Sequence, residues 1–327
     1  MDPISQGAVG MIATQSVASN SKTKLAALVG FLAGTAADLD VLIKSDADPL
    51  FGLFLHRHFT HSLFFIPFGA FFVAISLWSI AKIFKNPLPF NLLYIFSFIG
   101  FATHGLLDAT TSYGTVLLWP MSSSRIAWDW IAIIDVLFTL PILVFIGLTL
   151  WLKNRNYARA GMLYALFYFA LLAFNQNAVF QAYLGSLPQE AKASAQKNVR
   201  LIPRLFQPFS YRGVYRHEGR IYISSLQSWP FYETQITHHG SVPHTTPQDI
   251  QNSFNVTPAL QKQLNDYEWF ANGFIGTHKK NPLILADYRY GNFGQPKSPL
   301  WGIEINLETQ SASPLSLRKK LPGELDK

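Results

Sequence analysis

"IAIIDVLFTLPILVFIGLTLWL", residues 131–152, decides the fold. As a helix the run would rise roughly 33 Å at about 1.5 Å per residue, enough to cross a hydrocarbon core of about 30 Å. It carries one charged residue, Asp135. An unpaired carboxylate inside such a run costs several kcal/mol or takes up a proton, so a cationic partner, a metal or an Arg/His, is expected.

Working outward, the same texture recurs. "FFIPFGAFFVAISLWSI" (64–80), "FNLLYIFSFIGFATHGLL" (90–107) and "GMLYALFYFALLAFNQNAVF" (161–180) are each near spanning length. "LAALVGFLAGTAADLDVLI" (25–43) is rich in small residues, as at close helix contacts, but carries Asp38 and Asp40. "ISQGAVGMIATQSVAS" (4–19) is short and mildly apolar, fit for a short inserted or interfacial helix.

Composition agrees. Of 327 residues, 49% are hydrophobic and 14% charged, and the 27 phenylalanines outnumber the 19 acids. This is a polytopic membrane protein in composition, not a soluble two-domain enzyme. The formal net charge of +7 is assigned to cytoplasmic loops facing anionic lipid. No basic-aromatic stripe supports a nucleic-acid partner. The chain has no cysteine, so any metal is held by His, Asp, Glu or other oxygen ligands. "MDPISQGAVGMIATQ" lacks the basic start of a cleavable signal peptide, so the N-terminus is expected to be retained.

Beyond about Ser186 the texture changes. "GRIYISSLQ", "PLILADYRY" and "LWGIEINL" read as strands, "QNSFNVTPALQKQLNDYEWFANG" as a loop and helix, and "LPGELDK" as a frayed tail. The expected fold is an all-α polytopic membrane domain of five or six helices over 1–185. A smaller soluble α+β or mainly β domain of unknown role follows over 186–327.

Lys22 and Lys24, Lys82 and Lys85, and Lys153, Arg155 and Arg159 fall in three inter-span loops, which the positive-inside rule makes cytoplasmic. Following parity, Asp38, Asp40, "HRHFTHS" (56–62), His104, Asp108 and Asp135 all come to the opposite, non-cytoplasmic ends of their helices. Gln6 joins them if the first stretch crosses, and the C-terminal domain then lies outside.

Ionisable residues at membrane depth are functional candidates by default. In "ADLD", the i,i+2 spacing puts Asp38 and Asp40 on different helix faces, so one can bind a metal while the other orients a histidine; the plainer reading is a helix cap. In the heptad, read as helix, His58 and His61 are i,i+3 and Arg57 and His61 i,i+4. Imidazole suits zinc and other borderline metals, and Arg57 suits a phosphate. The plainer reading is an interfacial polar belt with Thr60 and Ser62 as caps. "HGLLD" sets His104 and Asp108 one turn apart on one face, within reach of one metal or two adjacent ones. The hydroxyls of "TTSYG" follow. Arg125 is a second phosphate contact or a surface residue. His238 and His239 read as a surface loop, and Trp119, Trp128 and Trp130 as interfacial belt.

The ordered set D-x-D, "HRHFTHS", "HGLLDATTSYG", "WP" and "IDVLFTLPIL", behind "MDPISQG", resembles the YdjM-like membrane-bound, metal-dependent hydrolases over roughly the first 150 residues. The resemblance implies a multi-pass bacterial or archaeal inner-membrane protein, distantly similar to the helical, multi-zinc phospholipases C and single-strand nucleases. It implies metal or catalytic roles for Asp38, Asp40, His56, His61, His104, Asp108 and Asp135, with Arg57 and Thr60 alongside. Two departures stand out: Gln6 where many members have His, and His58 where the familiar motif has Gly.

The expected function is hydrolysis of a phosphoester or other ester of an amphiphilic, lipid-like substrate by water activated on one or more divalent metals, zinc above all. His61, His104, Asp108 and Asp135 are first-choice ligands. Asp40 is ligand or general base, Arg57 holds the anionic oxygens and stabilises developing charge, and Thr60 is counted among the catalytic residues with them. The alternatives are a non-catalytic transporter, whose site would sit near the midplane, and a metal-stapled scaffold.

Overall fold

The computed structural model describes residues 1–278, 281–292 and 294–317, without the side chains of 193–197. The "LPGELDK" tail lies outside the described residues. The chain divides into two compact units. Unit 1 comprises residues 1–43, 55–174 and 205–208; unit 2 comprises 44–54, 175–204 and 209–327.

Unit 1 is helical. Helix α1 (Pro3–Val17) starts where the Asp2 carboxylate accepts from the Ile4 and Ser5 N–H groups, with Pro3 at the first turn. It packs against α2 (Thr23–Ala36), which runs on into a 3₁₀ segment (Ala37–Leu42). Small residues bring these two backbones into contact: a Cβ on Gly10 would lie 2.2 Å from the Gly30 carbonyl oxygen. After the short α3 (Phe51–Leu55), which falls in unit 2 but for its last residue, come α4 (Ile66–Ile83) and α5 (Phe90–Ala109), which pair with each other, α5 also packing on α2 and α1. Helices α6 (Val136–Leu152) and α7 (Arg155–Ser186) complete the set. α7 passes from unit 1 into unit 2 at Phe174/Asn175.

Four helical stretches are long and apolar enough to cross a membrane: Asn20–Leu42, Leu63–Ile83, Phe90–Ala109 and Arg155–Ser186. α4 turns Phe68, Phe71 and Phe72 outward, as lipid-facing helices do. α1, at 15 residues, is largely buried inside the bundle.

The stretch read as the clearest span is shorter than its composition implied. α6 has 17 residues, because 131–135 is not helical. Asp135 is the N-cap: its Oδ1 accepts the Phe138 N–H at 3.1 Å and its Oδ2 the Tyr168 hydroxyl at 3.0 Å. The carboxylate expected to need a cation is satisfied by the positive end of its own helix.

Unit 2 carries α8 (Gln189–Asn198) and then strands. β1 (Val199–Arg204), β2 (Gln207–His217), β3 (Arg220–Gln227) and β4 (Gln235–Pro243) form one sheet in that order. After α9 (Pro247–Ser253) and α10 (Pro258–Phe270) come β5 (Ile275–His278), β6 (Asn281–Asp287), β7 (Gly291–Asn292), β8 (Gln295–Pro299), β9 (Trp301–Asn306) and β10 (Ser311–Ser316). β10-β9-β6-β5 make a second sheet and β7-β8 a hairpin. The fully buried Asp287 and Arg289 satisfy each other through three carboxylate–guanidinium bonds, with Trp301 Nε1 donating to Asp287 as well. His238 and His239, read as loop, lie on β4 and bond Ser224 and Ser225 of β3.

Candidate metal centre

The polar residues of unit 1 converge where the 3₁₀ segment, the heptad and the last turn of α5 meet. "HRHFTHS" is not α-helical. Arg57 turns left-handed at φ 66°, and Phe59–His61 is a single 3₁₀ turn. The helical neighbour relations expected within it therefore fail. His58 packs toward Phe59 and Trp119, away from the other histidines. Burial, with the Arg125 charge next, holds its imidazole below the usual range. His56 and the Arg57 N–H, by contrast, both meet Asp40. The segment is pinned from outside as well: Arg57 O accepts from Val116 N, and Leu63 N donates to Leu117 O. Gly105 on α5 lets the chain approach, since a Cβ there would lie 2.0 Å from the His61 carbonyl oxygen.

Asp38, His61, His104 and Asp108 form one group able to hold a metal ion, and Asp40, His56 and His61 a second. In the first, His61 Nε2 and His104 Nε2 are 2.9 Å apart, and each lies 3.3 Å from Asp38 Oδ1. Asp108 Oδ2 is 3.3 Å from His61 Nε2 and 3.4 Å from His104 Nε2. Four ligands at about 2.0–2.2 Å from a tetrahedral ion would sit about 3.3–3.6 Å from one another. Four of these five contacts have that spacing, and the 2.9 Å between the two Nε2 atoms is shorter.

The protons can be placed from the partners. His104 Nδ1 is 2.6 Å from the Gly34 carbonyl, which only accepts, so Nδ1 carries a proton and in a neutral ring Nε2 carries the lone pair. The Thr60 hydroxyl donates to Asp40 Oδ2 at 2.9 Å and accepts from His61 Nδ1 at 3.0 Å, so in a neutral ring His61 Nε2 carries the lone pair as well. Two lone pairs thus face each other beside two carboxylates, in a pocket where His104 and Asp108 are wholly buried. One proton could bridge the two rings. It would still leave Asp108 Oδ2, which is buried and accepts no hydrogen bond among the described residues. A divalent cation meets all four atoms at once. The donor set, two imidazoles and two carboxylates, fits zinc.

The surroundings fix this set. Asp108 Oδ1 is occupied by Gln6 Nε2 (2.8 Å), Arg57 Nη2 (3.2 Å) and the Met1 amino group, which leaves Oδ2 for the centre. Asp40 spends Oδ1 on His56 Nδ1 (2.9 Å) and Oδ2 on Thr60 and the Arg57 N–H. It orients histidines and the turn, as carboxylates behind metal-bound imidazoles do. Arg57 is 4% exposed, bonds Thr111 Oγ1 at 3.0 Å and lies over the Tyr113 ring, as does Arg125.

Of the residues singled out from sequence, Asp38, Asp40, His56, Arg57, Thr60, His61, His104 and Asp108 come together. Asp135 belongs to neither group. Gln6 joins through Asp108, and His58 does not. Sequence reasoning passed over Gly105 and Gly34. Gly105 was visible as the small residue inside "HGLLD", but the approach of His61 that requires it was not.

No curated protein and no solved structure matches the chain. The profile of the YdjM inner membrane protein family matches residues 1–179, more than half of the sequence. The chain belongs to the YdjM inner membrane protein family.

Proposed function

We propose that this chain is a membrane-bound, zinc-dependent hydrolase acting on an ester, a phosphoester foremost, of an amphiphilic substrate. The observation that carries this reading is the facing pair of Nε2 atoms of His61 and His104, 2.9 Å apart between the carboxylates of Asp38 and Asp108. A zinc ion held there supplies Lewis acidity, polarising an ester oxygen and acidifying a water toward neutral pH.

The chain's own residues do the rest. Asp40, through Thr60, fixes the tautomer and plane of His61. Arg57 and Gln6 hold Asp108 so that one oxygen faces inward. Asp38 has a side chain 24% exposed and forms the accessible side of the centre. Arg57 and Arg125, both over the Tyr113 ring, are the cations we assign to an anionic ester. Support for a lipid-like substrate comes from Leu39, Val41 and Leu42, which are 62%, 52% and 72% exposed beside Asp38 and Asp40. The centre lies at the ends of the Asn20–Leu42 and Phe90–Ala109 stretches rather than at their midpoints, which favours hydrolysis over transport.

The test is metal content of the purified protein followed by an ester panel. Wild type should hold zinc and cleave lipid-borne or soluble phosphoesters, and His61→Ala with His104→Ala should lose both. A protein holding zinc but inert on a broad panel would leave a metal-stapled scaffold; one that never binds metal would end the reading.

A further inference from the structure

The turn between β3 and β4 carries three outward aromatic side chains. Trp229, Phe231 and Tyr232 are 52%, 84% and 78% exposed. Their base is rigid. Ser228, 2% exposed, donates its N–H to Phe209 O at 2.9 Å, and its hydroxyl accepts from Thr234 at 3.0 Å. The Tyr232 N–H closes the turn onto Trp229 O. Phe231 holds φ at 69°, a left-handed conformation that glycine or asparagine would adopt at less cost. Such strain persists where the surrounding structure enforces it, and it collects at functional positions.

The level of this turn is fixed by α7. The Ser228 carbonyl accepts from Asn175 Nδ2 at 3.2 Å, and the same amide bonds the Tyr211 hydroxyl at 3.0 Å. Asn175 lies where the outward face of α7 changes chemistry. From Gly161 up to that point the exposed residues are Leu163, Leu166, Phe167, Ala170 and Phe174, a continuous apolar stripe at helical spacing. The next exposed positions are Asn177, Ala178 and Gln181. The distance agrees: from the basic start at Arg155, Asn175 is about 30 Å along the helix at 1.5 Å per residue, one hydrocarbon thickness. The residue that anchors the turn is therefore the one at which the apolar stripe of α7 ends.

Trp and Tyr settle at that level because their rings are apolar and their polar edges want water. We propose that the turn from Trp229 to Tyr232 is a membrane-interface anchor, seated among the headgroups of the bilayer that α7 crosses. The inference does not depend on the hydrolase reading.

The chain has no cysteine, so single labels are simple to place. Full-length Phe231→Cys and, separately, Tyr232→Cys are labelled with an environment-sensitive fluorophore and reconstituted in phosphatidylcholine/phosphatidylglycerol vesicles. Glu308→Cys, in an exposed turn, is the aqueous control. Both turn positions should emit to the blue of the control. Both should lose intensity to a lipid spin label near the headgroup more than to one at the acyl-chain end. Emission matching the Glu308→Cys control at both positions would overturn the anchor. So would blue-shifted emission that no lipid-borne label quenches, which would place the turn in a protein contact instead.

Discussion

Replacing Thr60 by valine removes one hydroxyl and keeps the shape. That hydroxyl sits between Asp40 Oδ2 at 2.9 Å and His61 Nδ1 at 3.0 Å. Without it, His61 keeps a weaker 3.4 Å approach to Asp40, and its ring is free to tilt or to move its proton to Nε2, the atom that faces the centre. Loss of such an outer partner of a metal-bound histidine costs about 10–100-fold in metal affinity, or about 1.4–2.8 kcal/mol. Asp40 Oδ2 retains the Arg57 N–H, so no buried carboxylate oxygen is stranded and the fold should survive. A competitive zinc titration against a chelator, on protein in detergent or nanodiscs, reads the change. Thr60→Ser should restore most of the affinity because it restores the hydroxyl. An unchanged affinity in Thr60→Val would refute the proton placement on which the centre rests. A complete loss, equal to that of His61→Ala, would show that the Thr60–Asp40 wall itself touches the metal.

Gly105→Ala puts a methyl group into the His61 carbonyl, which is backbone and cannot swing aside; it should cost about 1–3 kcal/mol in thermal stability and weaken zinc binding in the same titration. Asp135→Asn keeps a good helix cap and should leave metal stoichiometry at the wild-type value, whereas Asp108→Asn should lower it, as metal analysis of both proteins will show. Asp287→Ala strands the buried Arg289 guanidinium and should destabilise unit 2 by about 3–5 kcal/mol, visible in proteolysis or thermal melts, with zinc content unaffected.

Much of the centre could be read in the sequence because the bilayer makes polar residues conspicuous. His104 and Asp108 stood out inside an apolar run, and their helical spacing brought them to one face, as the 3.4 Å contact shows. The D-x-D pair divided its labour as its spacing allowed, Asp38 facing the two Nε2 atoms and Asp40 turned to His56 and Thr60. The heptad was less legible, since nothing in "HRHFTHS" announces that Arg57 would adopt a left-handed turn. With that turn the helical neighbours disperse: His58 leaves, and His56 and His61 are gathered by Asp40 instead. The C-terminal strands were visible in outline, but their two-sheet order was not, because pairing is set by contacts distant in sequence.

Asp135 shows why a polar residue in an apolar run is an ambiguous signal. Desolvation does require that a carboxylate there find a positive partner. It does not say which. A metal, an arginine and a row of unpaired helix N–H groups all answer the need, and composition cannot separate them. What separates them is the backbone at the residue. Asp135 sits at φ −130° and ψ 110°, extended, one residue before the first helical position, so its oxygens fold back onto Phe138 N. His104 and Asp108 lie in the last two turns of a helix whose N–H groups are already spent on the preceding carbonyls. Their side chains can turn only to one another and to their neighbours, and with Asp38 and His61 they make a group that could hold a cation.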